Sequence, residues 1–275
     1  MLLTTVLAVG LYARGMTGTA APTSPVRRVA WFAGVALIYL ALQTSLNYYA
    51  SHMFFVLQLQ HFVLHDLGPA LLAAATPGAT LSRGLPRWAR SWLQPIARTF
   101  QVPRELLLDP GIATALYVVS QLVWLLPVIT FDVMLSNRLF ELMSWSTVLG
   151  ALPFWHLMLD PRPHPPARLR LRQRFIFLYL ASLPMTFVSA ALAFSQTNWY
   201  LVYAVCGRFL PISPVMDQEL GGTAMWVPGA LLFGGVLFVF LGRKLDQGAV
   251  PLTSGLAGTS PGHADPRRGT AAGQA

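Results

Sequence analysis

Long apolar runs separated by arginine-rich connections are the feature that most constrains this chain. A helix that crosses a bilayer needs about 20 mostly apolar residues, and the sequence contains six such runs and a shorter one at its N-terminus. Charged residues make up only 11% of the chain, whereas soluble proteins carry about 25%. The pattern predicts an all-α, polytopic transmembrane helical bundle of about seven spans. The predicted spans are 1–13, 29–47, 51–76, 110–130, 139–159, 173–195 and 222–242.

Basic residues occupy alternate connections between these runs. Seventeen of the nineteen Lys and Arg residues lie in segments 14–28, 77–109 and 160–174 or after residue 242. Segments rich in Lys and Arg face the cytoplasm in membrane proteins. We therefore expect the N-terminus outside and the C-terminus in the cytoplasm. The same placement accounts for the net charge of +9 without a nucleic-acid partner.

The sequence predicts one transmembrane helical domain over 1–246. Residues 247–275 are rich in Gly, Pro, Ser and Ala and predict a disordered cytoplasmic tail. The Arg- and Trp-rich segment 77–109 is typical of a helix that lies on anionic membrane lipid. Cys206 is the only cysteine, so an internal disulfide is excluded. The sequence contains no nucleophile elbow, phosphate-binding loop or HExxH motif, and we predict that the protein is not an enzyme.

The stretch "SHMFFVLQLQHFVLHDLGPALL", residues 51–72, places ionisable side chains at membrane depth. Such residues are costly in a bilayer and predict function. His61 and His65 are four residues apart, so they share one helix face and have the spacing of a paired metal site. Three uses stay open for this pair: hydrogen bonding between helices, ligation of a metal or haem, and a proton path. His156 is a further haem-ligand candidate opposite His65.

A second group of candidates is expected at the outer membrane surface. His52 precedes His61 by nine residues, which places it on the opposite side of the helix. His52 and Met53 are therefore considered together with Asp217, also predicted to lie outside. Imidazole and thioether groups are ligands for copper. Asp217 has an alternative interpretation as an N-terminal helix cap.

These segments together resemble the polytopic CtaG-type cytochrome c oxidase assembly factors. The resemblance rests on "QHFVLHDLGPALLAAATP", on "LGALPFWHLML" and, most specifically, on "DQELGGTAMWVPG", Asp217 to Gly229. It covers residues 29–245. Many members carry a His pair where Leu57 and His61 stand here, so the pair is incomplete in this chain.

The resemblance implies a multi-pass plasma-membrane protein that helps to mature a haem–copper respiratory oxidase through copper handling. Copper is the implied metal, and His52, Met53, His61, His65 and Asp217 are the candidate ligands. Oxidase subunits, membrane lipid and a copper donor protein are the implied partners. Two alternative functions stay open: a haem-binding electron carrier that uses His65 and His156, and a copper transporter that uses His61 and His65.

Overall fold

Helices form all the regular secondary structure of the described residues. The structure, a computed structural model, describes residues 2–17, 24–99 and 101–248. The predicted all-α fold class is therefore confirmed. A π-helical turn, Phe62–Leu67, interrupts the series of α-helices. The α-helices are α1 (Leu2–Met16), α2 (Pro25–Gln43), α3 (Leu46–Ala50), α4 (Phe54–His61), α5 (Gly68–Ala75), α6 (Gly78–Gly84), α7 (Arg87–Thr99), α8 (Gln101–Leu107), α9 (Pro110–Leu125), α10 (Pro127–Met134), α11 (Asn137–Met158), α12 (Leu171–Phe194), α13 (Val202–Cys206) and α14 (Pro214–Gly248).

Three helices are long and apolar enough to cross a membrane. They are α2, α12 and the part of α14 from Pro214 to Gly242. Helices α8 and α9 form a fourth candidate if they are counted as one span bent by 73°, while α1 is apolar but shorter. The described residues thus support a helical membrane protein with three to four candidate spans. The count of seven and the orientation of the termini stay predictions, and residues 249–275 of the predicted tail lie outside the described ranges.

Backbone contacts divide the chain into two units, Met1–Val236 and Leu237–Ala275. The described part of the second unit is the C-terminal portion of α14, which ends at Gly248. All packing discussed below lies within the first unit.

Pro127 interrupts the predicted span 110–130 and separates α9 from α10. Proline has no backbone N–H and prevents continuation of the helical hydrogen bonds that precede it. The Thr130 hydroxyl donates to the carbonyls of Trp124 and Leu126, and the Tyr200 hydroxyl donates to the Leu125 carbonyl at 2.7 Å. Side chains therefore satisfy the carbonyls at the break, which is necessary where water is scarce.

Two glycines allow α1 and α6 to approach each other closely. A Cβ atom on Gly15 would lie 1.9 Å from the Thr80 carbonyl oxygen, and one on Gly84 would lie 1.9 Å from the Leu11 carbonyl oxygen. Small residues at such contacts let membrane helices pack backbone to backbone. Beside this contact, Tyr12 stacks on Trp31 of α2 at a centroid distance of 4.8 Å.

We expect Gly84→Ala to destabilise the protein because the added methyl forces α1 away from α6. Overpacking of this kind costs about 1–3 kcal/mol. Gly10→Ala is the matched control, since a Cβ on Gly10 of α1 meets nothing within 4 Å. Thermal unfolding of the purified proteins in detergent measures both variants. Equal melting temperatures for the two would show that the α1–α6 contact contributes no stability.

Candidate functional site

The predicted histidine segment folds as α4, the π-helical turn and α5 in succession. Pro69 explains the turn. It cannot donate to the carbonyl of His65, four residues earlier, and its ring would clash with that carbonyl in a regular helix. The His65 carbonyl instead accepts a hydrogen bond from Trp155 Nε1 of α11 at 3.1 Å. Single π-helical turns inside α-helices are frequent at functional sites.

His65 is buried and is held against α9 by one ring nitrogen and by ring packing. Its Nε2 lies 2.9 Å from the Tyr117 carbonyl oxygen, and its ring packs on the Tyr117 ring at 4.1 Å. Because a carbonyl only accepts, Nε2 carries the proton. Nδ1 lies 3.7 Å from Asp66 Oδ1, too far for a hydrogen bond, and that oxygen accepts a short hydrogen bond from the Tyr117 hydroxyl. His65 therefore has a structural role in joining α9 to the π-helical turn.

His61 is the contrasting case. It is 1% exposed, yet neither ring nitrogen has a hydrogen-bond partner among the described residues. The same holds for both amide atoms of Gln58, one turn earlier, which is also 1% exposed. On α9, the buried Gln121 has an unpartnered Oε1. Buried polar atoms without partners are rare in folded proteins and call for a ligand, ion or water.

The relative direction of α4 and α9 indicates that these three side chains lie at similar depths in the bundle. His65 contacts Tyr117, while Phe54, eleven residues before His65, shares an apolar cluster with Leu125, eight residues after Tyr117. Helix α4 and the π-helical turn therefore run antiparallel to α9. In that register Gln121, one turn after Tyr117, lies level with His61, one turn before His65. We call His61, Gln58 and Gln121 the unpartnered polar cluster.

His52 and Met53, both predicted to lie at the outer membrane surface, differ in burial. His52 is half-buried; its Nδ1 lies 2.8 Å from the Tyr48 carbonyl oxygen and its ring packs on Tyr48. Met53 is fully buried among protein side chains, and its position at the outer membrane surface stays a prediction. It belongs to an apolar cluster with Met143, against which Met134 packs. Met53 is the residue immediately before α4.

Asp217 lies in the first turn of α14, which begins at Pro214 rather than at the expected residue 222. Its carboxylate is fully buried and caps a different helix. It accepts hydrogen bonds from the backbone N–H groups of Phe54 and Phe55 at 3.1 and 3.0 Å and from Arg208 Nε at 3.2 Å. The interpretation as a cap thus fits, although the capped helix is α4.

The five candidate ligands do not form one site. His65 and Asp217 are engaged as described, and within residues 2–17, 24–99 and 101–248 no three His, Cys, Asp or Glu side chains are placed to hold a metal ion together. His65 is directed to α9, whereas His156 lines a separate crevice beside Leu152. His61 is the candidate whose ring nitrogens are both unengaged.

The chain matches a known protein family over almost its whole described length. Residues 6–247 match the family described as cytochrome c oxidase caa3 assembly factor. The chain belongs to this family. The match covers nearly all the described residues and includes the histidine segment and α14. No curated relative and no solved structure matches the chain.

The most specific part of the assembly-factor resemblance has a packing explanation. Residues Asp217–Gly229 form the first half of the membrane-spanning part of α14. A Cβ on Gly221 would lie 2.2 Å from the Phe54 ring, and one on Gly222 would lie 2.7 Å from the Ser189 carbonyl oxygen. The two glycines therefore let α14 lie directly against α4 and α12, while Asp217 closes the end of α4.

Several residues of this candidate site were not predicted from the sequence. Tyr117 and Trp155 bond to His65 and Asp66 across more than fifty residues of chain, so no local pattern reveals the pairing. Arg208 lies only nine residues before Asp217, but the two are separated by the start of α14. Pro69 is the exception, because its distance from His65 identifies the carbonyl that must find another donor.

Proposed function

We propose that this chain helps to mature a respiratory haem–copper oxidase in the plasma membrane by handling copper, and that it catalyses no reaction itself. Membership of the oxidase assembly factor family supports the assembly role. Apolar helices of spanning length support a location in the membrane that holds the oxidase. The oxidase subunits are the proposed recipients and a copper protein outside the membrane is the proposed donor.

The unpartnered imidazole of His61 is the observation that carries the copper part of the proposal. Its two nitrogens are desolvated without compensation, which is unfavourable by about 1–3 kcal/mol. Copper accepts imidazole and thioether ligands. A cargo ion bound by His61 would offset the cost of burying the ring, whereas His65 already has protein partners.

The buried thioethers near the start of α4 support the same proposal. Met53 and Met143 lie in one apolar cluster with Met134 packed against it, and Met53 precedes His61 by about two helical turns. Soft thioether ligands select Cu(I). Neither His61 nor the thioether group alone forms a closed site with four ligands. An open site suits a cargo ion that must be released, because a closed four-ligand site would retain it.

Deletion of the gene tests this function. We expect membranes of the deletion strain to contain oxidase polypeptide with little copper-dependent oxidase activity, and total cellular copper to be unchanged. Re-expression of the intact chain should restore activity. Unchanged oxidase activity would refute the proposal. Lowered cellular copper would indicate a transporter, and a Soret band in the purified protein would indicate a haem carrier.

A further inference from the structure

A separate crevice opens where the arginine-rich connections meet the ends of α5 and α11. Its volume is about 630 Å³, and its wall is mainly apolar and includes Trp31, Leu72, Leu149 and Leu152. Two polar side chains, Arg104 and His156, also line it. A mostly apolar wall with a few polar groups is typical of a binding site for an amphipathic ligand.

The arginines around this crevice differ in their partners. Arg162 pairs with Asp160, Arg168 pairs with Glu105, and the Arg174 guanidinium donates to the carbonyls of Met158 and Asp160. Arg104, by contrast, is exposed and has no hydrogen bond or ion pair with any side chain or carbonyl of the described residues. The crevice therefore presents a free cation beside an apolar wall.

The neighbouring helix indicates the depth of this cation. Helix α7 directly precedes α8, which carries Arg104, and it exposes Trp88 and Trp92. Exposed tryptophans among arginines are typical of a helix at the membrane–water interface. Arg104 is thus placed at headgroup depth, and the exposed Leu149 is placed on the acyl-chain side.

We propose that the crevice binds one anionic phospholipid. The acyl chain lies along Leu149 and Leu152, and the headgroup phosphate pairs with Arg104. Charge complementarity favours an anionic over a zwitterionic lipid, because Arg162 and Arg168 are paired with carboxylates and Arg104 is not. The proposal is independent of copper handling, since none of these residues belongs to the unpartnered polar cluster.

Native mass spectrometry of the purified full chain with added phosphatidylglycerol tests the proposal, with phosphatidylcholine in parallel. We expect Arg104→Gln to weaken phosphatidylglycerol binding about fivefold, the effect of losing roughly one interfacial cation, and to weaken phosphatidylcholine binding less, because its phosphate is already neutralised by the choline. Arg172→Gln is the matched control, because Arg172 is an exposed arginine of α12 that does not line the crevice.

A second variant tests the apolar part of the site. Leu149→Trp should fill the crevice and reduce phosphatidylglycerol binding, whereas Leu142→Trp, on an exposed α11 residue outside the crevice, should not. The proposal is overturned if both lipids bind equally to the intact chain, or if neither Arg104→Gln nor Leu149→Trp lowers binding. Competition by glycerol phosphate as strong as by the lipid would also overturn it, since the site would then recognise phosphate alone.

Discussion

Replacement of His61 with leucine should abolish support of oxidase maturation while leaving the chain at least as stable as the wild type. Both ring nitrogens of His61 are buried without partners, so an apolar side chain of similar volume removes a desolvation cost of about 1–3 kcal/mol. If the imidazole binds copper, its loss should lower oxidase activity roughly tenfold or more, because even outer-shell partners of a metal contribute that much.

His65→Leu is the matched control for this experiment. It removes the hydrogen bond from the ring to the Tyr117 carbonyl, which retains the Ser120 hydroxyl as a donor, so stability should fall by about 0.5–1.5 kcal/mol. Two buried histidines four residues apart should therefore shift stability in opposite directions. Complemented deletion strains give the oxidase activity, and thermal unfolding in detergent gives the stability.

The outcome distinguishes a ligand from a structural histidine. A His61→Leu variant that loses stability and activity in parallel would indicate a packing role. A stable variant with normal oxidase activity would remove His61 from the copper proposal, while the deletion experiment would still decide whether the chain acts in assembly.

The helical class and the arginine-rich connections follow from the sequence because both depend on local composition. Runs of apolar residues predict helices, and proline and capping residues mark several of their ends; Asp109, for example, accepts from the N–H groups of Gly111 and Ile112. The bend between α8 and α9 and the break at Pro127 show where prediction from local composition fails. An apolar run specifies membrane compatibility, and the path of the backbone within it depends on side-chain partners elsewhere.

The candidate site was predicted only in part for a related reason. Helical spacing places His61 and His65 on one face, and both are indeed buried. Their difference depends on α9, which provides a carbonyl for His65 and none for His61. Such pairing joins residues more than fifty positions apart, and periodicity within one helix carries no information about it.

Asp217→Asn should cause the largest loss of stability of any variant considered. The fully buried carboxylate accepts from two backbone N–H groups of α4 and from Arg208. Asparagine retains one acceptor and leaves Arg208, whose side chain is 11% exposed, without its counter-charge. Breaking one side of a buried ion pair costs about 3–5 kcal/mol, and the favourable charge at the α4 N-terminus is lost as well.

Glu219→Gln provides the control with the same change of charge. Glu219 is only partly buried and accepts from Gln196 at 3.2 Å, so its substitution should change stability by less than about 1 kcal/mol. Thermal unfolding in detergent measures both variants. The double variant Asp217→Asn with Arg208→Gln should recover part of the loss, because the unpaired buried charge is then removed.

Copper dependence separates this structural role from the ligand role that the sequence predicts for Asp217. A cap acts in the absence of metal, so the stability loss of Asp217→Asn should be the same with copper added or chelated. A loss that appears only when copper is present would assign Asp217 to metal binding. That result would require the carboxylate to leave Phe54 and Phe55, and α4 would then begin without a cap whenever the ion is bound.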